Sequence, residues 1–254
     1  MTDAGRFYDS LAGDYHLMFD DWWASATWQG DVLARMLGEL GVAPGATVLD
    51  CTCGIGTQAL PLAALGFRLT GTDLSTTAVE RARAEADRRG LDVRLRAADL
   101  RTLTVDEPYD AVISADNSLP HLRTDDDLAR ALASVRGALA PGGVFLASVR
   151  DYDTLVRDRV AGVLPRRHER DGQQWIHGQA WTWAPDHRTV TFDLFMITRR
   201  PDGSWDTTVR TTTYRALLRH ELSAALTAAG FTDLRWSEPA ASGYYQPIVT
   251  ARAS

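Results

Sequence analysis

The sequence predicts an α/β chain: a seven-stranded, mostly parallel sheet with helices on both faces, an antiparallel β meander as a cap, and an N-terminal helical lid. Three observations predict it. Short apolar runs alternate with amphipathic ones as far as residue 150, a pattern that makes a parallel sheet covered on both faces. Near residue 165 the rhythm changes to long β-rich runs split by turn signals. One helix and two strands then close the chain. With 254 residues, 45% of them hydrophobic and 24% charged, the chain can bury a sizeable core without staples.

Each element has a local reason. "VLARMLGELG" puts Val32, Leu33, Met36, Leu37 and Leu40 on one helical face, and Gly41 ends it. "ATVLDC" is a short apolar strand, and "TQALPLAALG" is a helix closing at Gly66. "FRLTGTDLS" is the next strand, with Ser75 as N-cap of the helix "TTAVERARAEADRRG". "DVRLRAADL" and "YDAVISAD" are two further strands. "DDDLARALASVRGALAPGG" turns Leu128, Ala131, Leu132, Val135 and Leu139 inward. Its opening Asp125, Asp126 and Asp127 suit the positive end of the helix dipole. "GVFLASVRD" is another strand. The meander turns at "PDH" and "PDGS". "ALLRHELSAALTAAG" is a helix stopped by Gly230, and "FTDLRWSEP" and "YYQPIVTARA" are the last strands. The resulting division is a lid at 1–30, a ligand-binding core at 31–150, a cap insertion at 151–214 and completion of the core at 215–254.

Composition excludes several functions. A net charge of -6 gives no broad basic surplus for nucleic acid. No apolar run is long enough to cross a membrane. "MTDAGRFYDSLAGDYH" is not a secretory signal. Cys51 and Cys53 make neither a disulfide framework nor a zinc site, and read as small packing residues in a reducing compartment. His168, His177 and His187 lack metal-ligand spacing, so no metal is expected. "PRRHER", residues 165–170, reads as a solvated strand edge. The expectation is a cytoplasmic protein with a small-molecule partner, and homodimer formation stays open.

"VLDCTCGIGTQAL", Val48 to Leu60, poses the functional question. A parallel sheet binds ligands beyond the carboxyl ends of its strands. Gly54 and Gly56 let a ligand approach the backbone. A dinucleotide fingerprint needs a third glycine where Ala59 stands. Asp50 just before the turn would also repel a pyrophosphate. Asp73 ends the second strand and can accept both hydroxyls of a ribose. Asp99 ends the third and can accept an adenine amino proton. Asp116 and Asn117 end the fourth, and Leu74 and Leu100 flank the second and third carboxylates. Carboxylates at four successive strand ends suit a ligand with a ribose, an adenine, an ammonium and no phosphate.

The segments "VLDCTCGIGT", "LTGTDLS", "AADL" and "LAPGGVFL" resemble the class I S-adenosylmethionine-dependent methyltransferases over residues 45–150 and the last two strands. The resemblance implies a Rossmann-like sheet, S-adenosyl-L-methionine as cofactor and S-adenosyl-L-homocysteine as product. Thr52 replaces the family's first loop glycine. "FYDSLAGDYHLMFDDW", "ADNSLPHL" and "SVRDYD" resemble the glycine and sarcosine N-methyltransferase type more narrowly. That resemblance places Tyr8, Tyr15 and Trp28 over the methionine end of the cofactor. Such relatives often carry an arginine near position 28, where this chain has "ASATWQG".

Methyl transfer from a sulfonium needs alignment and a neutral nucleophile. Tyr15, His121 and Tyr152 are the candidates to orient an amine or relay its proton. Trp23, His121, Arg150, Tyr152 and Trp175 are the candidate substrate contacts, with Arg150 for a substrate carboxylate. Eight tryptophans suggest a π-lined pocket for an aromatic or indole-like natural-product precursor, methylated at nitrogen or carbon. A glycine-type small amine is the alternative acceptor. An NAD(P)-dependent oxidoreductase and a non-catalytic cofactor-binding subunit share the same sheet.

Overall fold

The structure, a computed structural model, describes residues 3–254. The lid holds α1 (Asp3–Leu11), a 3-10 turn at Tyr15–Met18 and the start of α2 (Trp22–Glu39). α2 begins well before the apolar face at Val32–Leu40, because the Asp21 carboxylate caps it at Ala24 N. Gly30, a weak helix former, survives in its middle because a side chain there would fall 2.5 Å from Pro61. The core continues as β1 (Thr47–Asp50), α3 (Ala59–Ala64), β2 (Arg68–Asp73), α4 (Thr76–Arg89), β3 (Arg94–Ala97), β4 (Tyr109–Ser114), α5 (Asp125–Ala138) and β5 (Leu139–Ser148). α6 (Tyr152–Asp158) leads into β6 (Gly162–Arg170), β7 (Gln173–Trp183), β8 (Thr189–Arg199) and β9 (Trp205–Arg215). α7 (Arg219–Ala228), β10 (Phe231–Ser237), α8 (Pro239–Ser242) and β11 (Ile248–Ala253) close the chain.

Seven strands form one sheet in the order β10-β11-β5-β4-β1-β2-β3. β3, β2, β1, β4 and β5 pair in parallel, and β11 runs antiparallel to both its neighbours. Strand order reverses between β1 and β4, so both carboxyl ends open onto one crevice. Ser75 caps α4, as its position predicts: its Oγ accepts Ala78 N at 3.0 Å. Leu128, Ala131, Leu132 and Val135 are buried, as the periodicity of α5 requires; Leu139, expected on that helix face, is also buried but is the first residue of β5, because the helix ends at Ala138.

β6 to β9 form a separate antiparallel sheet in chain order. One face meets the lid: Phe7, Leu11 and Leu17 pack with Trp175, Leu194 and Met196. Trp175 Nε1 donates to Leu17 O at 2.6 Å, and Arg210 pairs with Asp14 at 2.6 Å. "PRRHER" lies on edge strand β6, as expected, yet it is more than a solvated edge. Its alternate residues Arg166, His168 and Arg170 meet Asp20 and Asp21 of the lid, which is the two-residue period of a strand. Among the described residues no helix is long and apolar enough to cross a membrane. No group of His, Cys, Asp and Glu among them could hold a metal ion.

Candidate active site

A cavity of about 890 Å³ lies beyond β1 to β4, under α1 and beside β9. The turn after β1 supplies its floor. Gly54 and Gly56 have φ of 52° and 93°, where a side chain is disfavoured. Their surroundings differ. A Cβ on Gly54 would meet nothing within 4 Å, and Gly54 lines the cavity. A Cβ on Gly56 would fall 2.6 Å from Leu60. Gly54 is therefore open to a ligand, and Gly56 lets the turn close on α3. Thr52 reaches β4 through its Oγ1, 3.1 Å from Ser114 Oγ, so the larger residue is accommodated at the wall.

Three of the strand-end carboxylates crowd around this turn, and none has an ion-pair partner among the described residues. Asp50 is fully buried: Thr52 N donates to Oδ1 at 3.2 Å, and Oδ2 has no partner. Burial, with Asp73 and Asp116 nearby, pushes Asp50 up to about 8. Asp73 sits in the wall, accepting Ser75 N at 2.8 Å on Oδ1 and Gly54 N at 2.9 Å on Oδ2. Each oxygen keeps acceptor capacity for one hydroxyl of a vicinal diol. Asp116 accepts Gln58 Nε2 at 3.0 Å and the Tyr244 hydroxyl at 3.2 Å. Enclosure raises Asp73 and Asp116 too. Asp99 differs: Arg101 grips both its oxygens, Nε on Oδ1 at 3.0 Å and Nη2 on Oδ2 at 2.6 Å, and holds it below the usual carboxylate range. Arg101 also reaches Asp127 at 2.9 Å. Asp99, Leu74 and Leu100 all line the cavity.

The other candidates divide. Tyr8, Tyr15 and His121 line the cavity. The Tyr8 hydroxyl is 2.9 Å from His121 Nε2 and 3.4 Å from the Tyr214 hydroxyl. Enclosure, with Arg123 and Arg150 nearby, lowers His121 to about 3, so its imidazole is neutral. Burial and Asp116 raise Tyr15 well above a phenol's usual value, so it donates hydrogen bonds and is no base. Asn117 and Tyr152 are buried outside the lining, where Asn117 Nδ2 donates to the Tyr152 hydroxyl at 3.1 Å. Asn117 Oδ1 accepts Arg150 N at 3.0 Å. Asp116 and Asn117 both have left-handed φ, 58° and 65°, each costing about 1–3 kcal/mol. The Asn117–Tyr152 pair braces that strained loop.

The tryptophans lie elsewhere. Trp28 sits on α2, 43% exposed and stacked 6.1 Å from Tyr244. Trp23 and Trp175 line a second, smaller cavity beside α4. No tryptophan is among the described residues that line the large cavity. Arg150, expected as a substrate contact, also lies outside that lining, its guanidinium 3.4 Å from Gln179 Oε1 and 4.9 Å and 5.1 Å from the Phe192 and Trp181 rings, with no carboxylate at ion-pair distance among the described residues. The sequence reading missed Gln58 and the wall Thr208–Thr213 of β9, which line the cavity, and Tyr214, which stands behind Tyr8. The run of threonines in "TTVRTTT" is the signal that could have found that wall.

Residues 48–143 match the family model described as "Methyltransferase domain". The chain is 35% identical to the glycine/sarcosine N-methyltransferase of Parasynechococcus marenigrum (strain WH8102) over 138 residues, 54% of this chain and 48% of that one. It is 28% identical to the enzyme of that name from Halorhodospira halochloris over 169 residues, 66% of this chain and 59% of that one. The chain thus spans about half the length of the curated relatives it matches. Among solved structures, Streptomyces venezuelae DesVI is similar over the whole of both chains, with a TM-score of 0.78 and 21% identity. CalS10 with S-adenosylmethionine bound, described as an amino pentose methyltransferase from Micromonospora echinaspora, has a TM-score of 0.72 and 21% identity over 92% of each chain.

Proposed function

We propose that this chain is a class I S-adenosylmethionine-dependent methyltransferase that transfers a methyl group to the amine of a small polar metabolite. One observation carries the reading: three carboxylates without cationic partners surround an open glycine turn. A cation bound there favours the ionised form of each carboxyl and a pyrophosphate opposes it, which disfavours a nicotinamide dinucleotide. The orphaned Asp50 Oδ2, the open face of Gly54 and the two spare acceptor sites on Asp73 fit S-adenosyl-L-methionine. Asp73 would hold the ribose, Leu74, Asp99 and Leu100 the adenine, and Tyr8, Tyr15 and the Cys51–Gly54 turn the methionine end, with Asp50 buried behind that turn. Bound there, that group supplies a methyl on a sulfonium, open to in-line displacement.

The chain's own part is alignment and exclusion of water. His121 is too weak a base to take a proton from an ammonium. Tyr15 keeps its own proton. Neither therefore takes the acceptor amine's proton, and the Tyr8–His121–Tyr214 cluster orients the neutral amine by hydrogen bonds.

The acceptor side of the wall is hydroxyl-rich, with Ser118, Thr208, Thr211, Thr212 and Thr213. That supports a hydroxylated amine, in keeping with the amino pentose named for CalS10. An aromatic or indole-like acceptor draws no support from the tryptophans, which lie outside the wall. Arg150 favours a second reading, a glycine-type amino acid whose carboxylate would meet that guanidinium. The test measures S-adenosylhomocysteine release with an amino sugar, glycine, sarcosine and tryptamine at equal concentration. The expected order puts the amino sugar first and tryptamine last. Preference for glycine selects the second reading, and preference for tryptamine overturns both.

A further inference from the structure

Asp9 lies on α1 between Tyr8, which faces the cavity, and Ser10. Its Oδ1 accepts the Ser75 hydroxyl at 2.5 Å and Thr77 N at 3.3 Å. The lid helix thus sets a carboxylate on the N-terminus of α4, where the helix dipole favours negative charge. Ser75 also works in the other direction. Its backbone N–H donates to Asp73 Oδ1 at 2.8 Å, while Gly54 N holds Asp73 Oδ2 at 2.9 Å. An unbroken hydrogen-bonded chain runs from the lid to the glycine turn: Asp9, Ser75, Asp73, Gly54.

We propose that Asp9 is a positioning residue of the cofactor site, coupling closure of the lid to the orientation of the Asp73 carboxylate toward a vicinal diol. The proposal rests on the S-adenosylmethionine reading above. The Ser75 hydroxyl has one proton to give. With Asp9 in place it gives that proton to the lid and accepts Ala78 N on its lone pairs. Without Asp9 the hydroxyl turns toward the next acceptor, and Asp73 is two residues away. It then fills a lone pair that the diol needs. Coupling of this kind is reciprocal: a diol on Asp73 steadies α1, and α1 steadies Asp73. Phe7 and Leu11 already bury the other face of α1 in the cap, so Asp9 adds direction rather than adhesion.

The test is calorimetric titration of S-adenosylhomocysteine into the full-length protein, its Asp9→Ala, Asp9→Asn and Asp73→Ala variants, and the Asp9→Ala/Asp73→Ala double variant. Asp9→Ala should weaken binding about tenfold, the order of one charge-assisted hydrogen bond. Asp9→Asn should recover most of that, because an amide oxygen still accepts from Ser75 and Thr77. The double variant should bind no more weakly than Asp73→Ala alone, since Asp9 acts through Asp73. In wild type the ligand should slow amide exchange across α1, and in Asp9→Ala it should not. If Asp73→Ala weakens binding and Asp9→Ala does not, or if the two losses multiply, the coupling is wrong and the cofactor reading stands. If Asp73→Ala binds as tightly as wild type, the cofactor reading itself fails.

Discussion

Gly54 and Gly56 stand two residues apart in one turn and do different work. At Gly54 a methyl group has free space but a strained backbone. Gly54→Ala should fold with a modest loss, about 1–2 kcal/mol, and should weaken S-adenosylhomocysteine by narrowing the floor. Gly56→Ala adds overlap with Leu60, for a combined loss of about 2–4 kcal/mol. Thermal unfolding and ligand titration of both variants separate them: Gly54→Ala loses mainly ligand and Gly56→Ala mainly stability. His121 gives the pH prediction. Its folded value of about 3 lies below the ordinary histidine value, so on acidification the unfolded chain takes up a proton first, and stability is lost as pH falls. Relative to His121→Gln, wild type should lose roughly 2 kcal/mol between about pH 7 and pH 5. Urea unfolding at the two pH values checks this. A constant difference would mean that His121 titrates normally.

At the scale of elements, the lid is fastened by acids. Asp9 meets α4, Asp14 meets Arg210 of β9, and Asp20 and Asp21 meet β6. These contacts differ in strength. Asp20 and Arg166 are both mostly exposed, so salt screens them, whereas Arg210 is only 13% exposed. Raising salt from about 0.05 to about 0.5 M should speed amide exchange around Asp20–Trp23 and leave Asp14–Leu17 protected. Uniform loosening would show that the apolar contacts of Phe7, Leu11 and Leu17 are not what holds the lid. Deleting residues 1–20 should abolish turnover, because Tyr8 and Tyr15 go with them. It should also leave the seven-stranded sheet intact by circular dichroism. Activity in the truncated chain would refute the role of the lid.

At the scale of the whole molecule, what could be read in the sequence obeys local rules. The Ser75 cap, the inward face of α5 and the carboxylates at β1, β2, β3 and β4 follow from period, capping and strand ends. What could not be read depends on distant partners. Asn117 meets Tyr152 across 35 positions, and Tyr8 meets His121 across 113. The number of tryptophans carried no information about where their rings point, so the cavity wall is threonine and tyrosine instead. Arg101 stands two residues after Asp99, but its grip on both oxygens needed the 3-10 turn at Leu100–Thr102. The place of Gly30 inside α2 depends on its close approach to Pro61, thirty-one positions on.

Three carboxylates around the glycine turn, without ion-pair partners among the described residues, would make a site for a phosphate-free nucleoside that carries a cation. Calorimetry with S-adenosylmethionine, S-adenosylhomocysteine and NAD⁺ tests it most directly. The account predicts one-to-one binding of the first two and no heat with NAD⁺. Binding of NAD⁺ in their place, or of none of the three, would contradict it.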